Sequence, residues 1–200
     1  MRFGAPEKDV YMCGIIAVVR RRSSREPVPA GPFVDELAAV CADLRTPTGQ
    51  LNTVLGDAAD RLEVVNTALS GVPGLLSLMR DTDAARLIAA RIGEVAAAAT
   101  AIETTLDRPS AELVGDGMSV AQLELTNAAL IRCKDAIWAI QRDRLRAAAE
   151  VLALSPEPPG DAGAGVLFSL HQALSAIDRL EVRGRDSAGV EVQLSGHGLD

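Results

Sequence analysis

A cysteine that opens a chain carries two reactive groups, a thiol and an α-amine. The segment Met12-Cys13-Gly14-Ile15-Ile16 offers that arrangement once the residues before Cys13 are removed. The amine titrates at about 7.7–8.0, so near neutral pH it can take the proton of its own thiol. That is the chemistry of an N-terminal nucleophile. Gly14 leaves room for a substrate to come close to the sulfur. A second constellation, Arg183-Gly184-Arg185-Asp186-Ser187, puts a cation, an anion and a hydroxyl into one short turn. Taken singly, both signals have bland readings. A cysteine before an apolar run is most often a buried core thiol, and Arg183 with Asp186 can be a structural ion pair.

Together and in this order, the two motifs resemble those of class II glutamine amidotransferases, which have an Ntn-hydrolase fold. Within that class they are most similar to the glutamine–fructose-6-phosphate aminotransferase (glucosamine-6-phosphate synthase) family. That family opens with Met-Cys-Gly-Ile and, after one helix, carries Arg-Leu-Glu-Tyr-Arg-Gly-Tyr-Asp-Ser-Ala-Gly. Here the stretch from Arg179 to Gly189 departs from it at Val182 and Arg185, where the family has tyrosines. The resemblance implies that Cys13 attacks the side-chain amide of glutamine, forms a glutamyl thioester and releases ammonia for amino-sugar synthesis. It implies that Gly14, Arg183, Gly184, Asp186 and Ser187 shape or line the site. A sugar phosphate would be the acceptor, bound in a later part of the protein.

Eleven residues precede Met12. Residues 1–12 are therefore expected to be either a leader that is cleaved or a stretch ahead of the true start. The second is favoured, because Met12 sits where an initiator would. The family's glutamine-binding arginine, its Asn-Gly oxyanion donor and its distal aspartate are expected beyond Asp200. Oxyanion stabilisation is usually a large catalytic contribution, so the 200-residue chain alone is expected to be nearly inactive.

The elements that must position these motifs follow from the hydrophobic pattern. Cys13–Val19 is a short Ile/Val-rich run stopped by Arg20-Arg21-Arg22, which predicts a buried strand. Val190–Leu194 alternates apolar and polar residues and predicts another. Between them, helical spacing dominates. Phe33, Leu37, Val40 and Leu44 share a face, as do Leu51, Val54, Leu55, Ala58, Leu62, Val65 and Leu69. Gly71-Val72-Pro73-Gly74 should interrupt, with a short helix to Arg80. Ile88, Ile92, Val95, Ala99, Ile102 and Leu106 form a third stripe. Ser119 with Gln122 has capping-box spacing, opening a long helix whose stripe is Val120, Leu123, Leu130, Ile131, Ile137 and Leu145. After the Pro-rich Ser155–Gly160, the residues Val166, Leu167, Leu170, Leu174, Ile177 and Leu180 predict a last helix. The fold class expected is α+β by chain and mostly α: the start of an Ntn-hydrolase-type amidotransferase sheet interrupted by a large helical-bundle insertion. Residues 13–31 and 160–200 would be a partial amidotransferase domain, and residues 32–155 the insertion. The alternative is that the helical part is the functional body, a non-enzymatic interaction or regulatory module that supports a homo-oligomer.

Composition narrows the classes further. A net charge of −7 argues against binding nucleic acid. The apolar runs fall short of the roughly 20 residues of a membrane span. Cys13, Cys41 and Cys133 form no CxxC pair, and His171 and His197 are far apart, so neither a metal nor an organic cofactor is expected. A reducing cytoplasm is the expected setting. Cys41 and Cys133 should be core thiols, His171 a core or surface residue, and Trp138 a packing anchor between helices. Arg20-Arg21-Arg22 reads as a solvated strand end, with contact to a sugar phosphate as the less favoured option.

Overall fold

A computed structural model of the protein describes residues 15–21, 23–108, 118–155, 157–181 and 189–193. Its first helix, α1 (Pro32–Arg45), starts at a proline, whose missing N–H costs nothing in a first turn. It stops at Thr46-Pro47, because proline disfavours a helical residue before it. α2 (Leu51–Ala68) follows and then α3 (Gly71–Arg80), with 86° between them. Glycine is required twice at this corner. Gly71 has φ +65°, and a Cβ on Gly74 would overlap the backbone of Leu69. Pro73 and Gly74 therefore lie inside α3 and do not break it.

α4 (Thr82–Leu106) begins six residues before the Ile88 stripe. Asp81 caps it, its carboxylate accepting from the Ala84 N–H at 2.9 Å. α5 (Val120–Trp138) opens with the full capping box between Ser119 and Gln122. A π-helical stretch (Ala139–Arg146) carries the chain on to α6 (Ala147–Ala153), and α7 (Asp161–Glu181) comes last.

Four helices make the core. α1 packs on α2 and α4, and α5 packs on the same two. Their inward residues are fully enclosed: Leu37 and Val40 from α1, Leu55 and Leu62 from α2, Ile88, Ile92 and Val95 from α4, and Cys133 from α5. Small residues such as Ala59, Ala99 and Ala136 let the helices approach closely. Ion pairs lace the outside: Arg61 to Glu36 and Asp43, Arg132 to Asp60 and Glu63, and Lys134 to Glu103. α3 crosses one end of this bundle, where it meets α4, α6 and α7.

The expected sheet is corrected. No strand occurs among the described residues. Ile15–Arg20 runs without regular structure, leaving Ile15 95% and Val19 94% exposed. Val190–Gln193 is likewise irregular, with Val190 and Val192 half exposed. A strand needs a neighbouring backbone to hydrogen-bond with, and two strands alone are unstable in water. The helices here offer no such edge, so the β-like residue pattern has nothing to act on. The chain is an all-helical body with irregular flanks in its described parts, not an Ntn-type sheet with an insertion.

Two smaller expectations are also corrected. On α5 the buried row is Thr126, Ala129, Leu130, Cys133, Ala136 and Ile137, while Val120 and Ile131 face outward. Trp138 is 53% exposed, where a packing anchor between helices would be buried. Cys41 and Cys133 are core thiols, as expected.

Candidate functional site

The residues with the sharpest chemistry, Cys13, Gly14, Arg183, Gly184, Asp186 and Ser187, lie outside the described residues. The described chain that follows the first motif meets the opening of α7, the helix whose far end leads to the second. Residues 18–21 and 23–25, which follow the first motif, pass the start of α3 and the opening turns of α7. Arg20 lies over Gly165 of α7 so closely that a Cβ at that position would overlap its guanidinium. Gly165 is buried by that contact.

A cavity of about 320 Å³ opens where these segments cross. Arg20, Arg21 and Arg25 line it from the first flank, Phe168, Ser169 and Gln172 from α7, and Gly71–Pro73 from α3. Arg25 is fixed in place by the corner between α2 and α3. Its Nη1 donates to the Thr67 carbonyl at 2.6 Å, and its Nη2 donates to the Ser70 carbonyl. The Thr67 carbonyl lies in the last turn of α2, where a cation is favoured by the helix dipole, and Ser70 is the N-cap position of α3. Ser70 does not cap α3, because its hydroxyl donates back to the Thr67 carbonyl at 2.7 Å.

A half-buried Arg144 on the π-helical stretch donates from Nε to Asn66 Oδ1 at 2.9 Å. Burial holds its guanidinium below the usual arginine value, the neighbouring Asp143 opposes that, and the charge of Arg25 adds to it. His171 on α7 sits with Nδ1 3.3 Å from Glu150 of α6, and its ring stacks on Phe168. Glu150 is also paired with Arg146.

Sequence reasoning singled out Arg20 and Arg21 as a basic run, but it missed Arg25 and the meeting with α7. The available signal was Ala162-Gly163-Ala164-Gly165, a small-residue opening of the last helix that leaves a groove for a long side chain. Among the described residues, no three His, Cys, Asp or Glu side chains gather where a metal could bind. No single described helix is long and apolar enough to cross a membrane. α2 and α3 together reach that length, but they are sharply bent and their apolar residues form the core.

Fold and site define an all-helical body on which the residues around Arg20 meet the opening of the last helix. No protein-family model, curated protein or solved structure matches the chain.

Proposed function

We propose that the protein is the N-terminal part of a glutamine amidotransferase. In this reading Cys13 becomes the first residue and hydrolyses glutamine, and the ammonia goes to a sugar-phosphate acceptor in amino-sugar synthesis. The α-amine of Cys13 takes the thiol proton as the sulfur attacks the glutamine amide carbon, and that proton leaves with the ammonia. Water then cleaves the glutamyl thioester to glutamate and restores the thiol. Arg183, Gly184, Asp186 and Ser187 shape the site from the second motif. The helical body, residues 32–155, is carried between the two motifs, and the protein works in the cytoplasm without metal or organic cofactor.

The observation that carries this reading is the meeting of the flanks. A body inserted between two halves of one site must return the chain close to where it left. Arg20 rests on Gly165, although the whole body, residues 32–155, separates them in sequence. The test uses the full reading frame. Glutaminase activity should be present and should fall to background in Cys13→Ala, and intact mass should show a mature chain that starts at Cys13. Activity that survives the substitution would end the reading.

The enclosed core of the body favours a second reading, in which the helices are the functional part as an interaction or regulatory module. Excising residues 32–155 separates the two. Loss of oligomer size with the glutaminase rate kept assigns the body to assembly, and a changed rate assigns it to regulation.

A further inference from the structure

In a chain of net charge −7, the cavity between residues 18–21, 23–25, α3 and α7 is lined, among the described residues, by three arginines and by no carboxylate. Several arginines elsewhere are paired: Arg61, Arg80, Arg132 and Arg146 each meet an acidic side chain. Arg20, Arg21 and Arg25 meet none among the described residues. Two of the three are held in place without one. Backbone carbonyls fix Arg25, and Gly165 seats Arg20. Guanidinium groups oriented in advance lose little freedom when an anion arrives.

The first turn of α3 reaches the same cavity. It has no side-chain cap, and it presents Gly71 and Val72, whose N–H groups carry the positive end of a ten-residue helix. Val72, Pro73 and Phe168 make an apolar wall, and Ser169 and Gln172 add neutral polar groups. At about 320 Å³ the space suits a small metabolite.

We propose that this cavity binds a small organic phosphate, with its phosphate group held by Arg20, Arg21 and Arg25 and its carbon skeleton against Phe168 and Pro73. A doubly charged phosphate matches several guanidinium groups better than a single carboxylate does. The site stands apart from the amidotransferase reading, since no residue proposed for glutamine hydrolysis belongs to it.

Calorimetric titration of the 200-residue chain tests it, with glucose 6-phosphate and inorganic phosphate as probes and glucose as the neutral control. Glucose 6-phosphate should bind saturably, inorganic phosphate should compete with it, and glucose should not bind. The Arg20→Ala/Arg21→Ala variant should weaken binding about tenfold or more, as expected for lost charge-assisted hydrogen bonds. Both side chains are exposed, so its far-UV circular dichroism should be unchanged. Gly165→Ala keeps every charge but displaces the Arg20 guanidinium, and it should weaken binding as well. Arg86→Ala, at an exposed position on α4, should bind normally. Full affinity in the double variant, full affinity in Gly165→Ala, or no saturable binding of either phosphate would each overturn the proposal.

Discussion

The four-helix core and the flanks around it treat apolar residues in opposite ways. In the core, Leu37, Leu55, Leu62, Ile88, Ile92 and Val95 are fully enclosed and belong to one cluster shared by several helices. On the flanks, Ile15 and Val19 are almost bare, Val190 and Val192 are half exposed, and Leu174 of α7 is 42% exposed. The two regions are equally hydrophobic to read but not equally satisfied. Burying apolar surface contributes roughly 25 cal/mol per Å², so the core contains its own reason to fold. The flanks keep most of their apolar surface in water.

The largest expected effect tests that contrast directly. Leu62→Ala removes a fully buried side chain from α2 and should cost about 2–5 kcal/mol in urea unfolding followed by circular dichroism. The same truncation at Ile15 should change stability by less than about 0.5 kcal/mol, because little packs on it. A large loss at Ile15 would show that the flank shares the core, and the contrast would fail.

A buried thiol gives the second test. Cys133 lies between α5 and α2, its Sγ 3.1 Å from the Leu55 carbonyl. Burial pushes the thiol up from 9.0 to about 11, against a smaller opposing pull from the charge of Arg132. The folded state therefore holds this proton more tightly than the unfolded chain does. Its contribution to stability is complete below pH 9 and is lost as pH rises toward about 11. Unfolding measured across that window should show a steeper fall in the native chain than in Cys133→Ala. Identical slopes would mean that the thiol is solvated and that this seam of the core is open.

Legibility in the sequence divides along the same line. The core helices were readable because i, i+3, i+4 spacing is a local signal and the partners that satisfy it lie in the same chain. Ser119 with Gln122 announced the start of α5 for the same reason. The apolar stripe of α4 begins only at Ile88, and the cue for its start is the Asp81 cap. The α5 stripe was misplaced because large Ile131 and Val120 outweighed the small Ala129, Cys133 and Ala136 that line the true interface. Tight packing favours the smaller set, which residue size alone does not reveal. The two strands failed because strand formation depends on a partner backbone, and neither Ile15–Arg20 nor Val190–Gln193 finds one in the described structure. For the site, the arginine run was visible in the sequence. The groove at Gly165 that receives Arg20 was not, since it joins residues far apart in the chain.

The smallest expected effect lies at the seam between the regions. Arg80, at the end of α3, donates from Nη2 to both carboxylate oxygens of Asp161 at 2.7 and 2.8 Å, tying the start of α7 to the bundle. Both side chains are more than half exposed, so water and salt screen the pair. A double-mutant cycle with Arg80→Ala and Asp161→Ala should give a coupling of about 0.2–1 kcal/mol, and added salt should reduce it. α7 would then be held mainly by its half-buried apolar residues, with the ion pair setting where it starts rather than how firmly it docks. A coupling well above that range that also resists salt would mean that α7 is locked to the bundle as firmly as the core helices are to one another. The line between core and flank would then fall after α7, not before it.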